Sequence, residues 1–405
     1  RRPPRSTLFP YTTLFRSAYL PVNPVIVAWA RKRCALSLEE VAAKLHLDPE
    51  RIANWENGDR QPTVRQAREL ARIYDFPFLE FFSKKIPPLP KPTSIPDFRS
   101  ITERKSARAQ FLLEEVQVWA EENRLNALDL LDLIGDEPPA FSKQLRAKLS
   151  DDYEAVAQYV RKILKFDVAE QFALKSSERI KLPSIIRAKF EAAGVLVLRM
   201  GRLHELGVRG ICIFNEVLPT IVFSSSESPG AQSFTLAHEF AHIILQQSGI
   251  SGQPRLGGRT GKREIETWCN KFAAAFLMPK EVVIERAKDL PKNADHISNL
   301  VLNNLAAAFC VSRHAMMIRL VTLGFVKAQY YWRIKRPEFL KEEAEYEGFG
   351  KTKYYGQRYR SSRGDYYTGL VIEAWNLRKI TNHNAAEFMG INNLSHMNDI
   401  RANFG

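Results

Sequence analysis

The chain has 405 residues, a formal net charge of +14, 45% hydrophobic and 26% charged residues, which is enough apolar material for two or three packed domains and too much for a disordered chain. No apolar run approaches the roughly twenty residues that a membrane-spanning helix needs, and no secretory signal precedes Ala18, so a soluble, cytoplasmic protein without a membrane partner is expected. Cys34, Cys212, Cys269 and Cys310 are far apart and follow no paired spacing, which fits reduced thiols in small core positions.

Residues 1–17 are set aside from fold reasoning. They contain no methionine, and Thr7 to Ser17 has the look of an in-frame translation of a sequencing-adapter oligonucleotide. The alternative, a short basic presequence carrying Arg1, Arg2, Arg5 and Arg16, lacks an amphipathic pattern.

Residues 18–82 show helix-start signals at short intervals. Ser37-Leu38-Glu39-Glu40 and Thr63-Val64-Arg65-Gln66 are capping boxes, and Asp48-Pro49 places an N-cap before a proline at the first helical position. The spacing predicts a helix over Leu38–Leu45, a turn at His46-Leu47, and a helix over Pro49–Asn57 stopped by Gly58. Two short helices across a tight turn make a helix-turn-helix, whose second helix enters the major groove. The order Leu38 to Ala42, Ile52 to Gly58 and Pro62-Thr63 resembles the XRE/Cro repressor family. That resemblance implies an all-α DNA-binding domain with Ile52 and Trp55 in its core. It also implies Ser37, Glu50, Arg51 and Asn54 facing the groove, with Arg60 and Gln61 near phosphate. Arg51 and Asn54 suit guanine and adenine edges, whereas Asp48 and Glu50 oppose phosphate binding, so a protein-docking role for the module competes with DNA binding.

Residues 83–105 read as a linker. Pro87, Pro88, Pro90, Pro92 and Pro96 favour an extended, semi-rigid spacer. From about residue 106 to residue 180 the pattern is helical, as in Phe111-Leu112, Val116 and Trp119, and speaks of packing only. Residues 194–200, 210–214 and 218–224 are short, rich in Val, Ile, Leu and Phe and bounded by turn residues; they predict a small antiparallel sheet. Pro219 to Phe223 is the expected edge, since proline is tolerated there, and an edge strand can pair with an extended substrate. The competing reading is that the strands only cover the helices.

Residues 234–245 hold His238, Glu239 and His242 as H-E-x-x-H, the motif of zinc-dependent peptide hydrolysis. On a helix, residues four apart share a face, so both imidazoles can reach one metal while Glu239 flanks its water. A third ligand is then required, and residues 264–279 read as a second helix stopped by Pro279, with Glu264 and Glu266 as candidates. Glu266 is favoured because Asn270 lies one turn later on the same face, where it can orient a ligand. The Phe-Thr-Leu-Ala-His-Glu-Phe-Ala-His run, followed by residues 264–279 and by Val311-Ser312 and Arg319-Leu320, resembles the ImmA/IrrE family of metallopeptidases over roughly residues 180–325. The resemblance implies a gluzincin-type site with Zn2+ on His238, His242 and Glu266, Glu239 as catalytic base, and limited proteolysis of DNA-binding repressors. The family commonly carries a basic residue before Phe-Thr-Leu; Gln232 and Ser233 stand here instead, which leaves substrate contacts at that point open.

The loop from Gly249 to Gly261 is glycine-rich and reads either as a lid or as a solvated connection. His314 and Arg319 are considered as oxyanion donors beside a structural role, and the isolated His46, His204, His296, His383 and His396 are read as structural. From Tyr330 onward aromatic and basic residues alternate, including Tyr331, Trp332, Lys335, Arg336, Lys353, Tyr355 and Arg358. This is the composition of a packed surface or of a nucleic-acid track. Thr381 is expected to cap a late helix, and Ile380 to Ile391 has the rhythm of a small helix-turn-helix.

The expected architecture is therefore multidomain and mainly α with a small sheet. A helix-turn-helix domain (18–82) and a linker (83–105) precede an α+β zincin-like domain (106–325, with a helical lead-in 106–180 and a catalytic core 181–325) and a mostly helical region (326–405). The expected function is DNA-linked zinc endopeptidase action on a repressor or partner protein. The alternative is a non-proteolytic DNA-binding regulator or antitoxin that uses the zinc fold as a sensor or docking module.

Overall fold

The computed structural model describes residues 19, 21–88, 107–251, 261–346, 354–391 and 393–402. Segment 1–17, the linker from residue 89 onward, positions 252–260 of the glycine-rich loop, Lys353 and the side chain of His204 lie outside the described residues. The chain divides into two compact units, residues 1–92 with 105–118, and residues 93–104 with 119–405.

The first unit is a small helical domain built from α1 (Pro24–Arg33), α2 (Leu38–Leu45), α3 (Pro49–Asn57), α4 (Val64–Ile73), a 3-10 turn (Phe78–Phe82) and the start of α5 (Ala107–Ile134). Helices α2 and α3 begin and end where the capping residues predict. The Ser37 hydroxyl accepts from the Glu40 amide at 3.1 Å, and the Glu40 carboxylate accepts from the Ser37 amide at 2.8 Å. Thr63 and Gln66 repeat the exchange at the start of α4. Asp48 occupies its N-cap position without a side-chain cap bond, leaving the preset φ of Pro49 to start α3. Gly58 ends α3 at φ 85°, and a Cβ there would stand 3.1 Å from the Pro24 ring. Ile26, Val41, Ile52, Trp55, Leu70 and Phe81 form the core. Arg31 on α1 grips the Glu56 carboxylate on α3 through Nε at 2.6 Å and Nη2 at 2.8 Å, a bidentate pair that fixes the two helices together.

The second unit contains the sheet, of β1 (Leu196–Met200), β2 (Gly210–Ile213), β3 (Thr220–Ser224) and β4 (Gly249–Ser251) in the order β1-β3-β2-β4. It is mixed rather than antiparallel: β1 and β3 are parallel, while β2 pairs antiparallel with β3 and with β4. Pro219 to Phe223 is not an edge. All five residues of β3 are buried between β1 and β2. Pro219 precedes the strand and enters the ladder through its carbonyl, which accepts from the Leu196 amide at 2.8 Å; proline lacks only the donor. The edges are β1 and β4. At β1 the Arg199 carbonyl accepts from Ser362 Oγ at 3.0 Å and Arg199 Nη1 donates to Ser361 Oγ at 2.6 Å. Residues 249–251, read from sequence as loop, form β4, since three residues give no alternation to detect.

Around the sheet stand α6 (Tyr153–Ile163), α7 (Val168–Phe172), α8 (Leu182–Ala192), α9 (Pro229–Ile244), α10 (Gly261–Leu277), α11 (Lys280–Arg286), α12 (Asn299–Ala308) and α13 (Arg313–Thr322). Helix α9 lies in the centre with Leu236, Phe240 and Ile243 at 0% exposure, and Phe240 stacks on Phe190 at 4.0 Å between centroids. Gly230 allows its first turn to touch the start of α13, where a Cβ would stand 2.6 Å from the Ser312 amide nitrogen. Among the described residues no single helix is long and apolar enough to cross a membrane; α12 and α13, which pass only as a pair, are bent by 98°.

Past residue 326 a π-helical turn (Tyr331–Lys335) leads into α14 (Arg336–Ala344), followed by α15 (Tyr355–Arg363), α16 (Asp365–Asn376), α17 (Asn382–Met389) and α18 (Ser395–Ala402). The aromatic and basic residues there are mixed in burial, with Trp332, Tyr354 and Tyr355 exposed. Tyr331 and Lys335 are buried, Arg336 stands over Trp332, and Tyr355 stacks on His396 at 4.6 Å. Thr381 caps α17 as expected, with Asn384 completing the box.

Candidate metal centre

Helix α9 starts at Ser228, whose hydroxyl accepts from the Ala231 amide at 3.4 Å, with Pro229 at the first helical position. From that start the chain buries every residue from Thr235 to Ile244, His238, Glu239 and His242 included. The two imidazole Nε2 atoms lie 3.2 Å apart. Helix α10 brings Glu266 to the same point, with Oε1 3.0 Å from His242 Nε2 and Oε2 3.5 Å from His238 Nε2. A tetrahedral centre with bonds of about 2.0–2.1 Å separates its donors by roughly 3.3 Å, so the three side chains already stand at ligand spacing. Glu264 is exposed and outside the cluster.

The electrostatics fit a cation. Glu239 is fully buried, with the Ser251 hydroxyl and the Cys212 thiol near it but neither of its carboxylate oxygens in a well-formed hydrogen bond. Such a carboxylate is costly unless a positive charge stands near it. Burial raises its pKa, and the two imidazoles only partly offset that. Burial also pushes Glu266 upward, but His238 and His242 outweigh it and hold this carboxyl well below the usual range. For His238 burial alone would favour the neutral ring; Glu266 overrides it, with help from Glu239 and Asn270, and raises the pKa. The nearby thiols Cys212 and Cys269 are pushed well above their ordinary value by burial and then by the carboxylates, which keeps them protonated.

Gly210 is a site residue that the sequence reading missed. A Cβ on it would lie 2.4 Å from Glu239 Oε1, so only glycine lets the first residue of β2 run against the carboxylate. A glycine opening a strand was the available signal. Also missed was a chain of ion pairs beside it. Arg209 binds Glu227 at 3.1 Å and Glu343 of α14 at 2.8 Å, Glu227 accepts from Thr235 of α9 at 3.0 Å, and Glu343 holds His314 Nδ1 at 2.8 Å. These partners are spread over more than a hundred positions of sequence and had no local pattern.

Arg319 is committed to the fold: it is 1% exposed, donates to the Met278 carbonyl at 3.0 Å and pairs with Glu154 at 2.6 Å. His314 is held between Glu343 and the Tyr331 hydroxyl, the latter at 3.0 Å. Gln232 and Ser233, standing where a basic residue is common, are buried and donate to the carbonyls of Glu227 and Pro229.

In the other unit, Glu50 and Arg51 are exposed on α3 with Asn54 half-buried on the same helix, and Arg60 is exposed beyond it. Ser37 is exposed but its hydroxyl serves the cap, and Gln61 Oε1 accepts from the Val22 amide at 3.0 Å, so both also hold the fold.

Two buried histidines and a half-buried glutamate on two helices beside a mixed sheet form a candidate metal site, and a separate unit carries a helix-turn-helix. Comparison with known proteins gives the family. Residues 190–321 match the IrrE N-terminal-like domain of the M78 peptidases, and residues 27–81 match a helix-turn-helix family. The chain thus joins an XRE-type helix-turn-helix domain to an ImmA/IrrE-like metallopeptidase-family domain. It is 41% identical over 68 residues to the radiation response metalloprotease IrrE of Deinococcus radiodurans, a stretch that covers 16% of this chain and 21% of that protein.

Proposed function

We propose that the chain is a DNA-tethered zinc endopeptidase of the gluzincin type that cuts a helix-turn-helix repressor or partner protein. The convergence of His238, His242 and Glu266 at ligand spacing beside the buried Glu239 carboxylate supports this reading most directly. Zinc bound there would supply Lewis acidity, polarising a scissile carbonyl and acidifying water. His238 and His242 hold their positions through the α9 backbone, and Glu266 closes the set from α10, with Asn270 steadying His238. Glu239 acts as general base: it takes a proton from the attacking water and returns it to the leaving amine. Gly210 gives that carboxylate its room.

Tethering is assigned to Glu50, Arg51, Asn54 and Arg60, with Ser37 and Gln61 at the margins of the same surface. Carried on a repressor-like module, the peptidase would meet its substrate at an operator. The test is to incubate the zinc-loaded full chain, and its Glu239→Gln variant, with helix-turn-helix repressors from the same genome. Cleavage by the native chain alone is expected. An intact repressor, or equal cleavage by both proteins, would defeat the proposal and favour a binding-only regulator.

A further inference from the structure

A cavity of about 200 Å³ opens beside the metal centre, among α9, α10 and α13. Its walls are mostly apolar: Ala231 and Phe234 from α9, Ala274 from α10, and Ala315 and Ile318 from α13. Two of its lining residues tie it to the ligands. The Phe234 ring stacks against His238, with centroids 6.5 Å apart, and Asn270 stands one turn beyond Glu266 on α10. At one end stand Arg209, His314 and Glu343, paired with one another, so their charges are spent internally rather than offered to a ligand.

We propose that this cavity is a specificity pocket that receives an apolar side chain of leucine or phenylalanine size from the polypeptide substrate, next to the bond that is cut. The inference rests on the peptidase reading above and adds the class of residue it selects. A dry apolar cavity of about 150 Å³ holds a benzene ring, so the volume suits an isobutyl or benzyl group. The small side chains of Ala231, Ala274 and Ala315 are what keep it open. A charged side chain would lose its hydration against these walls. Glu343 comes from α14, beyond the 190–321 family match, so the end of the pocket is made by this chain's own extension.

The test uses two zinc-directed peptide hydroxamates that differ only in carrying a methyl or an isobutyl side chain, titrated calorimetrically into the zinc-loaded full chain. The isobutyl compound should bind about 10- to 50-fold more tightly, the effect of burying three further carbons. In Ala315→Phe, which fills the cavity, that preference should fall to about twofold or less, with the affinity of the methyl compound unchanged. Ile318→Ala, which enlarges the cavity, should move the preference toward a benzyl compound. Equal affinities in the native chain, or a preference that survives Ala315→Phe, would overturn the pocket and leave the metal reading standing. Failure of either hydroxamate to bind would count against the metal reading itself, and the pocket would fall with it.

Discussion

In the helix-turn-helix unit Glu50, Arg51 and Arg60 stand in solvent on or beside a short helix, whereas His238, Glu239 and His242 lie buried in the middle of the second unit. The first set can be exchanged with little effect on the core of Ile52 and Trp55, because exposed side chains add little to packing. The second set is inseparable from the fold that holds it: α9 contributes its apolar residues to the core and its imidazoles to the site from the same helix. The exposed and the buried candidate residues are therefore under different constraints in one chain.

The sharpest way to break that contrast is at Glu239. Glu239→Gln should lower peptide cleavage by about 10²–10⁴-fold while zinc content stays at the native level, as read by metal analysis. Gly210→Ala, which drives a Cβ into the same carboxylate, should reduce turnover in the same zinc-retaining way. Unimpaired cleavage by Glu239→Gln would remove the general base from the account.

A packing change in the first unit should do the reverse. Trp55 is 1% exposed, and Trp55→Ala is expected to cost about 3–5 kcal/mol of that unit's stability. Operator binding should be lost by mobility-shift assay, with zinc content untouched. Loss of zinc in this variant would show that the two units do not act independently.

A smaller effect tests the exposed face. Arg51→Ala should cost about 1–3 kcal/mol of discrimination at one base position and leave the thermal transition unmoved. An unchanged operator preference would remove Arg51 from the groove and favour protein docking by this module.

The smallest expected effect concerns the ion pairs around Glu343. Burial pushes its carboxyl up, but His314 and Arg209 overcome this and depress it below the ordinary value. Its stabilising contribution is therefore complete above the ordinary carboxylate pKa of about 4.3 and is lost as pH falls through the lower folded value. The Tm gap between the native chain and Glu343→Gln should be widest near neutrality and should close in acid; a gap that widens in acid would reverse the sign.

What could be read from sequence was local. Capping at Ser37 and Thr63, the stop at Gly58, and the i, i+4 spacing of His238 and His242 are settled by residues within one or two turns of each other, and these features appear where they were expected. Strand positions were also legible, because β-rich runs are local. Strand order was not: whether β3 lies at an edge or in the centre depends on which segments cross over it, and Pro219 pointed the wrong way because only its donor is missing. The surroundings of the site were equally hidden. Gly210 beside Glu239, and Arg209 between Glu227 and Glu343, are contacts across distant segments that leave no periodic trace.

The central claim is that one zinc ion sits on His238, His242 and Glu266. X-ray absorption at the zinc edge of the full chain tests it most directly. The account predicts one zinc per chain with two imidazole nitrogens and carboxylate oxygen at about 2.0–2.2 Å, and the loss of that signal in Glu266→Ala. A sulfur neighbour at about 2.3 Å, which would bring in Cys269 or Cys212, or a zinc signal unchanged in Glu266→Ala, would contradict it.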